Sequence, residues 1–507
     1  MASAEVDACV EILEDHFGAI AASVGRILLC GETTLPALVM RLRTHATIRM
    51  IKRSVVILEQ HNIVTFRVEE RRVLYCIQPE DVLRLARSAR CSFIVKTLYG
   101  EVAEAICEEL VCRGRLCCSE CLRRVAARLD TSLSEVKTKF ARLAEAQLVI
   151  RCPLVESDDF ECPVFEKQID PFVMPDLVLN AVKKGGAEAD SSSSSRKRKH
   201  EETSDMDGDI LWRLNYTRFE RYMRDEMVVD AVSRMDNFGA ECVKTIRTLL
   251  KICELKAGSR AAASFPISVQ DVVRAANTNE MGLEKKDIEL ALRILSDDGE
   301  QIVRRIGDSA GGLYVVDFEK AISIQCQLNI ESVIREKFDS LAVRIFRLLL
   351  QKGYLEEEQV EKLAMLSSKE SKELCYALLD EHFISIRHIA KTNDFAPART
   401  FCLYHVNLSD LAQLLYENTC KILRNAIVRR RHETKEHKHF LKRFFSLKSK
   451  FRLLDIGEVE DMYLTAADRA TLEKYRRGQS DLLYNEMELD HDLLLFSLFI
   501  DFAKRRL

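Results

Sequence analysis

The sequence contains little glycine and proline, with 18 and 8 residues among 507, and a single tryptophan. Because glycine and proline interrupt regular structure, their scarcity disfavours a many-stranded β architecture and favours long helices. Long apolar runs are also missing. The longest spans residues 493–500, whereas a membrane-spanning helix needs about 20 apolar residues. We therefore expect a chain without a membrane segment.

Neither sign of charge dominates, since the net charge is -3, with 31% charged and 47% hydrophobic residues. This balance is typical of folded globular proteins. Single cores stop growing at roughly 250–300 residues, so a chain of 507 residues should hold several domains. The first residues include Glu5, Asp7, Glu11 and Asp15 and no basic run, which disfavours a secretory signal. The expectation is an intracellular protein.

Seventeen cysteines are present, and five of them cluster at positions 107, 112, 117, 118 and 121. A disulfide framework is typical of small secreted domains and not of a large intracellular chain. Structural zinc sites favour two C-x2-C pairs or Cys/His pairs, and here only Cys118 and Cys121 form such a pair. The other three lie at helical spacing on an apolar face, so we expect buried small hydrophobic residues. The sequence predicts no metal and no cofactor.

One phrase occurs four times: a helical pattern ending in leucine, a short polar turn, and an apolar strand start. The copies lie at 58–64, 143–149, 295–303 and 379–385. The starts of the first two copies differ by 85 residues (143 minus 58), and those of the last two by 84 (379 minus 295). This period is too long for a solenoid repeat and fits a small domain.

Around the first copy, helical patterns cover 5–29, a short segment after Thr34, and 48–60, and strand patterns cover 63–68 and 73–77. Three helices followed by a hairpin are the order of a winged helix. The other copies repeat this order, with a helical pattern at 94–112 in the second copy and an inserted loop at 256–264 in the third. The sequence predicts a mainly α chain with small β-wings, in which four tandem, extended winged helices precede a C-terminal helical hairpin or coiled coil. Their expected bounds are 1–79, 80–165, 210–327 and 328–408, with the hairpin at 409–507 and helix breaks at Gly457 and Gly478.

A linker is expected at 166–209, and its part 183–209 has too few apolar residues to fold. It contains five serines followed by a basic run. The run reads as a nuclear localisation signal, although basic runs are also common in solvated linkers. Its residues are Arg196, Lys197, Arg198 and Lys199. The predicted location is the nucleus.

Residues 307–312, with Ser309 at their centre, are similar to the Gly-Asp-Ser-Gly-Gly signature of a serine-protease nucleophile, with Ala310 inserted. A triad also requires a histidine and a carboxylate placed by a suitable scaffold. Strand patterns flank this segment, and a glycine-rich turn suits a hairpin. We predict a wing turn here. No phosphate-binding loop, metalloprotease motif or carboxylate pair appears, so the chain is expected not to be an enzyme.

Basic residues occupy the positions through which DNA-binding winged helices contact their target, namely the second and third helices and the wing. Arginine and lysine outnumber the asparagine and glutamine that read adenine, which favours phosphate contact without sequence specificity. The alternative is a solvated charged face or a surface that binds protein. The candidates are Arg49, Lys52, Arg53, Arg67, Arg71, Arg72, Arg123, Arg124, Lys137, Lys139, Arg142, Arg151, Lys285, Lys286, Arg304, Arg305, Lys369, Lys372 and Arg387.

Residues 421–452, here called the basic stripe, hold twelve Lys/Arg and two Glu. Phenylalanines are interleaved at positions 440, 444, 445 and 451. The stripe could follow nucleic acid. It could equally bind an acidic partner surface with the phenylalanines buried, and its place on a predicted coiled coil favours this second interpretation.

Several segments together resemble the third-largest subunit of RNA polymerase III. They are 58–64, 96–99, 231–236, 307–314, 344–352 and 399–404, with Glu433-Thr-Lys-Glu436 at the expected place on the coiled coil. The resemblance spans nearly the whole chain and is weakest in the linker and over 440–452. It implies a non-catalytic subunit in a heterotrimer with two other polymerase-III-specific subunits, seated on the clamp of the largest subunit. It also implies contact with the initiation factor, help in promoter recruitment and opening, and binding of single-stranded or melted DNA in the synthesis of tRNA and 5S rRNA.

Two other interpretations stay open from the residues alone. A cullin-like or PCI-type assembly scaffold would share the winged helices and act outside transcription. A Ser309 hydrolase is the third possibility, and it would lose activity on an ester probe when Ser309 is replaced by alanine.

Overall fold

A computed structural model of the chain describes residues 3–69, 72–153, 170–174, 210–235, 238–278, 282, 284–308, 311–390, 400–450 and 464–506. The run 196–199, the segment 183–209 and Gly457 lie outside these residues. Internal packing divides the chain into two units. The first comprises Ser3–Phe219 and Ala426–Met487, and the second Glu220–Asn425 and Glu488–Leu507. Among the described helices, none is long and apolar enough to cross a bilayer.

The first winged helix lies in the first unit. Its elements are α1 Ser3–Phe17, α2 Ala19–Cys30, β1 Thr33–Thr34, α3 Leu35–Leu42, α4 Ile48–Gln60, β2 Val64–Glu69 and β3 Arg72–Ile77. The strands form an antiparallel sheet in the order β1-β3-β2. The single helix predicted over 5–29 was wrong. Gly18 adopts φ 86° and separates two helices, because this backbone conformation is compatible with glycine and incompatible with a continuous helix.

The second winged helix follows in the same unit. Its elements are α5 Pro79–Ala86, α6 Ser88–Tyr99, α7 Glu101–Arg113, β4 Leu116–Cys117, α8 Cys118–Leu129, α9 Leu133–Glu145, β5 Val149–Arg151 and β6 Leu211–Leu214. The helix predicted over 94–112 is interrupted at Gly100, which has φ 91°. Strand β6 lies between β4 and β5. The predicted start of the third winged helix at residue 210 was therefore wrong, because strand β6 belongs to the sheet of the second winged helix.

The position of β6 is fixed by its side chains. Trp212 is fully buried and meets the ring of Phe140 on α9 edge-to-face, with 5.3 Å between ring centroids. Its backbone is in register with Leu116 on one side and Arg151 on the other. Buried aromatic pairs in this geometry stabilise a core beyond their apolar area. The strand is thus held to the second winged helix by packing as well as by the sheet.

The third and fourth winged helices lie largely in the second unit. The third contains α10 Tyr216–Ser233, α11 Ala240–Cys253, β7 Ile267–Ser268, α12 Val269–Thr278, α13 Lys285–Asp297, β8 Val303–Gly307 and β9 Leu313–Val316. The fourth contains α14 Phe318–Lys337, α15 Ser340–Lys352, α16 Glu357–Ala364, α17 Ser368–Asp380, β10 Ser385–Ala390 and β11 Thr400–His405. The third sheet has the order β7-β9-β8. In the fourth, a single bridge between Leu355 and Tyr404 stands where the first strand of the other sheets lies.

The inserted loop of the third winged helix is anchored by a buried arginine. Arg224 on α10 is 1% exposed and lies 3.8 Å from the ring centroid of Phe318. Its guanidinium donates to the carbonyls of Gly258 and Ser259 and pairs with Asp225 at 2.7 Å. Because its charge is paired and hydrogen-bonded, the arginine can be buried without a large penalty.

The described residues after 407 form three helices: α18 Leu408–Glu436, α19 Lys438–Lys450 and α20 Ala466–Arg506. Within the first unit, α20 runs antiparallel to α18 and α19. Thr434 meets Tyr475 at 3.2 Å and Arg443 pairs with Asp468 at 3.0 Å. The predicted C-terminal helical hairpin is confirmed. The break predicted at Gly478 was wrong, since this residue lies inside α20, where a glycine costs only about 1 kcal/mol.

The repeated phrase is the C-terminal cap of the third helix in the first, second and fourth winged helices. In the first copy the N–H of Ile63 donates to the carbonyl of Leu58, and the N–H of Asn62 donates to Glu59. These two bonds, with Asn62 at φ 60°, define a Schellman cap. The second and fourth copies have the same pair of bonds, and the fourth begins at Leu378, one residue before the predicted start. The residues in the left-handed conformation are Asn62, Gln147, Gln301 and His382.

Candidate nucleic-acid interface

In the first winged helix, α4 turns one face to the core through Ile51, Val55 and Leu58. The opposite face carries Arg49, Lys52 and Arg53, all exposed. None of these three has a carboxylate partner among the residues that the structure describes. Three further candidates belong to the wing. Arg67 pairs with Glu32 at 3.0 Å and with Glu69 at 3.7 Å. Arg72 is exposed, and Arg71 lies outside the described residues.

In the second winged helix, most candidate cations already have partners within the chain. Arg124 on α8 pairs with Glu120 at 2.5 Å and with Glu109 at 3.5 Å. The ammonium group of Lys139 on α9 donates to the carbonyl of Tyr99 at 2.8 Å. The remaining candidates differ in exposure: Arg123 and Arg142 are exposed, whereas Lys137 and Arg151 are half-buried.

The candidates of the third and fourth winged helices are mostly paired as well. The ion pairs are Lys285–Glu289 at 3.6 Å, Arg304–Asp317 at 3.0 Å, Arg305–Asp308 at 2.6 Å, Lys369–Glu373 at 3.9 Å and Lys372–Glu357 at 3.2 Å. Arg387 donates to the hydroxyl of Tyr354 at 3.2 Å. Lys286 is exposed, and within the described part of the chain no carboxylate pairs with it. The sequence therefore placed cations at the expected positions without indicating how many of them are neutralised locally.

Cations in these ion pairs can still bind phosphate. An exposed ion pair contributes only about 0–1 kcal/mol, because water and salt screen it. A phosphate can thus replace the carboxylate at small cost, and a cation without a carboxylate nearby can bind a phosphate directly. The arrangement suits dispersed contact with a nucleic-acid backbone.

Part of the basic stripe neutralises acidic residues of the first unit. Arg430 pairs with Asp15 and with Glu486, each at 2.7 Å. Arg431 pairs with Glu11 at 2.7 Å and also with Glu14. Burial raises the pKa of Glu486, while the guanidinium of Arg430 acts in the opposite direction. The stripe therefore fastens α18 to α1, a use that its sequence did not reveal.

The phenylalanines of the stripe pack inside the hairpin. Phe444 is buried with Leu441, Leu464 and Leu472, and Phe440 packs against this cluster. The side chain of Phe445 and all of Phe451 lie outside the described residues. For the two described rings, the partner that buries them is the hairpin itself. The exposed cations Lys435, Lys438, Lys442 and Lys474 remain on its surface.

Three cysteines of the cluster are core residues, whereas Cys112 is exposed and Cys117 half-buried, so the prediction of buried residues was wrong for these two. Cys107, Cys118 and Cys121 are buried, and burial raises the pKa of the Cys107 and Cys121 thiols to about 12. A thiol with so high a pKa is a poor metal ligand and a poor nucleophile at neutral pH. In the described part of the chain, no group of three potential metal ligands converges.

The segment similar to a protease signature connects the strands of a wing. Strand β8 ends at Gly307 and its partner β9 begins at Leu313. Gly311 and Gly312 have φ 88° and 118°, conformations that suit a hairpin turn. Ser309 and Ala310 lie outside the described residues. The turn interpretation thus agrees with the strands that flank it.

One feature of the first winged helix was not anticipated. Helix α4 exposes Ile48, Met50, Val56 and Ile57 in addition to its cations, and Met40 on α3 lies in the same winged helix. The available signal was that apolar residues occur all around α4, beyond those needed for one buried face.

Comparisons with known proteins agree with this architecture. A family model described as RNA polymerase III subunit RPC82 matches residues 138–324. Its helix-turn-helix domain matches 7–69, and the C-terminal winged-helix domain of POLR3C matches 330–406. The DNA-directed RNA polymerase III subunits RPC3 of Rattus norvegicus, Bos taurus and Homo sapiens are 33%, 34% and 32% identical, and each alignment covers 100% of both chains. With this similarity along its whole length, the chain belongs to the RPC3 (RPC82) family of RNA polymerase III subunits.

Proposed function

We propose that the chain is a non-catalytic subunit of nuclear RNA polymerase III. It would join two partner subunits in a subcomplex seated on the clamp of the largest subunit and take part in promoter recruitment through the initiation factor and in promoter opening. The observation that carries this proposal is the full-length similarity to RPC3 subunits. The four tandem winged helices support it, because such folds offer several separate surfaces for protein and DNA.

Transcription of a tRNA gene tests the non-catalytic role. Polymerase III prepared without this chain should extend RNA on a template with a single-stranded tail and fail on a tRNA promoter. Adding the purified chain together with its two partner subunits should restore promoter-dependent initiation. Loss of elongation on the tailed template would place the chain in the catalytic machinery, and normal promoter initiation without it would remove the proposed role.

The DNA contact is proposed to run through phosphates. It would use the cations on the second and third helices and the wings, including Arg142 on α9 and Lys286 on α13, which have no carboxylate partner among the described residues. Each phosphate that a protein neutralises releases counterions, so binding should weaken steeply as salt increases. Single-stranded or melted DNA is the expected ligand, and sequence preference should be small, since arginine and lysine predominate among the candidate contacts.

A salt series with a labelled single-stranded oligonucleotide tests this contact. Arg142→Ala and Lys286→Ala should each weaken binding and lower the slope of log K against log salt by about 1. Lys352→Ala is the matched control, because Lys352 is an exposed cation at the end of α15 in the fourth winged helix and lies outside the proposed interface. Unchanged slopes for the two variants, or an equal change in the control, would contradict the proposed phosphate contacts.

A further inference from the structure

The exposed surface of α4 combines cations with apolar side chains. We call this surface the α4 face; it comprises the cations Arg49, Lys52 and Arg53 and the apolar residues Met40, Ile48, Met50, Val56 and Ile57. Met40 is 75% exposed, Val56 60% and Ile48 57%. Along α4, Arg49, Arg53 and Val56 fall on one side because helical residues three and four apart are neighbours.

The corresponding helix of the second winged helix is different. Helix α9, described along its whole length, carries Lys137, Lys139 and Arg142 and exposes no large apolar side chain. Contact with phosphate requires only cations and hydrogen-bond donors. The exposed apolar residues of the α4 face therefore need another explanation, since exposed apolar side chains concentrated on one small domain are typical of a protein contact.

A groove beside the α4 face gives such a contact a defined shape. It lies between the C-terminal part of α3 and the start of α4, has a volume of about 520 Å³, and is lined by Val39, Ile48 and Met50. Arg43 and residues 44–47 form the rest of its lining. An amphipathic helix or extended segment can place apolar side chains in a groove of this kind.

The charge of the surface selects the partner. Arg43, Arg49, Lys52 and Arg53 are exposed, and none has a carboxylate partner in the described part of the chain. A basic segment would be repelled, and a purely apolar one would leave these cations without compensation. A segment with carboxylates beside apolar residues satisfies both parts of the surface and gains on-rate and specificity from the charge match.

We infer that the α4 face binds a segment of another protein that carries apolar residues flanked by carboxylates. This helix, which winged-helix geometry assigns to the DNA groove, is thus a protein-docking helix in this chain. The inference goes beyond the proposed function: it removes the α4 cations from the DNA contacts and holds whether or not the other winged helices bind DNA.

Site-specific photo-crosslinking tests the class of partner. Val56 is replaced by p-benzoyl-phenylalanine in the full chain, and the assembled polymerase is irradiated on promoter DNA. The control position is Thr138, an exposed residue of α9. From position 56 the crosslink should reach a polypeptide, and the crosslinked peptide should contain both acidic and apolar residues. A crosslink to DNA, to a segment without carboxylates, or to nothing would overturn the inference.

Substitutions then test the two parts of the surface separately. The probe is the crosslinked segment prepared as a synthetic peptide, titrated against the full chain. Val56→Ser with Ile57→Ser should weaken peptide binding at least tenfold and leave single-stranded DNA binding unchanged. Arg49→Glu with Arg53→Glu should weaken it at least tenfold as well, and the wild-type affinity should fall as salt rises. Wild-type peptide binding by either double variant, Val56→Ser with Ile57→Ser or Arg49→Glu with Arg53→Glu, overturns the inference.

The matched control is Leu290→Ser with Ile294→Ser on α13, the third helix of the third winged helix, where these residues are 54% and 40% exposed. This variant should bind the peptide like the wild type, and an equal loss would mean that the effect is not specific to the α4 face. An unchanged midpoint of urea unfolding for every variant shows that folding is intact. Co-purification of polymerase III subunits with the wild-type chain is measured separately, so failure of the proposed function is distinguishable from failure of this inference.

Discussion

Gly114, at the end of α7, lies where the first two winged helices meet. Its backbone has φ 77° and ψ -70°, a combination that costs other residues about 1–3 kcal/mol. A Cβ atom at this position would lie 2.5 Å from the carbonyl oxygen of Gln60 and 3.0 Å from Cα of His61. Both are backbone atoms of the capping turn after α4. The turn is held here by Arg115, which donates to Asn62 at 2.8 Å and pairs with Glu59 at 2.7 Å.

We therefore predict that Gly114→Ala lowers the free energy of unfolding of the first unit by about 2–6 kcal/mol, the sum of roughly 1–3 kcal/mol for backbone strain and 1–3 kcal/mol for overpacking. The matched control is Gly100→Ala at the other end of α7. Gly100 also has positive φ, 91°, but its Cβ position is open, with no atom within 4 Å. The Gly100→Ala variant should lose only the free energy that corresponds to backbone strain. The free energies of unfolding of the two variants should therefore differ by about 1–3 kcal/mol.

Urea unfolding followed by tryptophan fluorescence measures both variants. Trp212 is the only tryptophan and is buried in the second winged helix, so its emission reports the part of the chain that contains both glycines. A Gly114→Ala variant as stable as Gly100→Ala, or more stable, would refute the close approach of α7 to the turn after α4.

Three further predictions concern the same unit. Phe140→Ala should lower the free energy of unfolding by about 3–5 kcal/mol and shift Trp212 emission to longer wavelength. Phe93→Ala, at a site 64% exposed, should change the free energy of unfolding by no more than about 0.5 kcal/mol. Similar losses in the two variants would contradict the packing of Phe140 against Trp212. The pKa of His61 is lowered from 6.5 to about 4 by burial and by His16. As pH falls, the imidazole of His61 is therefore protonated in the unfolded chain before it is protonated in the folded chain, so the free energy of unfolding should decrease from pH 6.5 to pH 4. The His61→Gln variant should show a smaller decrease, and the same pH profile as the wild type would refute this prediction. Arg430→Ala should lower the free energy of unfolding of the unit by about 1–3 kcal/mol, because Asp15 and Glu486 lose their partner. Arg429→Ala, at an exposed position, should have little effect. Denaturant titrations of the two variants measure these changes.

The sequence predicted the winged helices because their defining signal is local. The four repeated phrases end a helix and begin a strand within seven to nine residues, and a polar residue with positive φ lies in each turn. Isolated glycines were harder to interpret. Gly18 and Gly100 end helices, whereas Gly478 lies inside one, because packing around the residue decides whether the local cost is accepted.

Non-local features escaped sequence reasoning. Strand β6 is four residues long and follows β5 after about sixty residues of chain, so nothing near Trp212 indicates which sheet it completes. The pairing of Arg430 and Arg431 with α1 joins residues more than 400 positions apart. At the candidate interface, the sequence located the cations but could not indicate that at least seven of the nineteen pair with carboxylates of the same chain, or that the α4 cations lie among exposed apolar side chains.

Affinity purification of the full chain from nuclear extract, with identification of the co-eluting polypeptides, tests whether the chain is a subunit of RNA polymerase III. We predict that RNA polymerase III subunits, including the largest, co-elute in near-equal amounts and resist a moderate salt wash. Absence of those subunits, with the chain recovered alone or in an unrelated assembly, would contradict it.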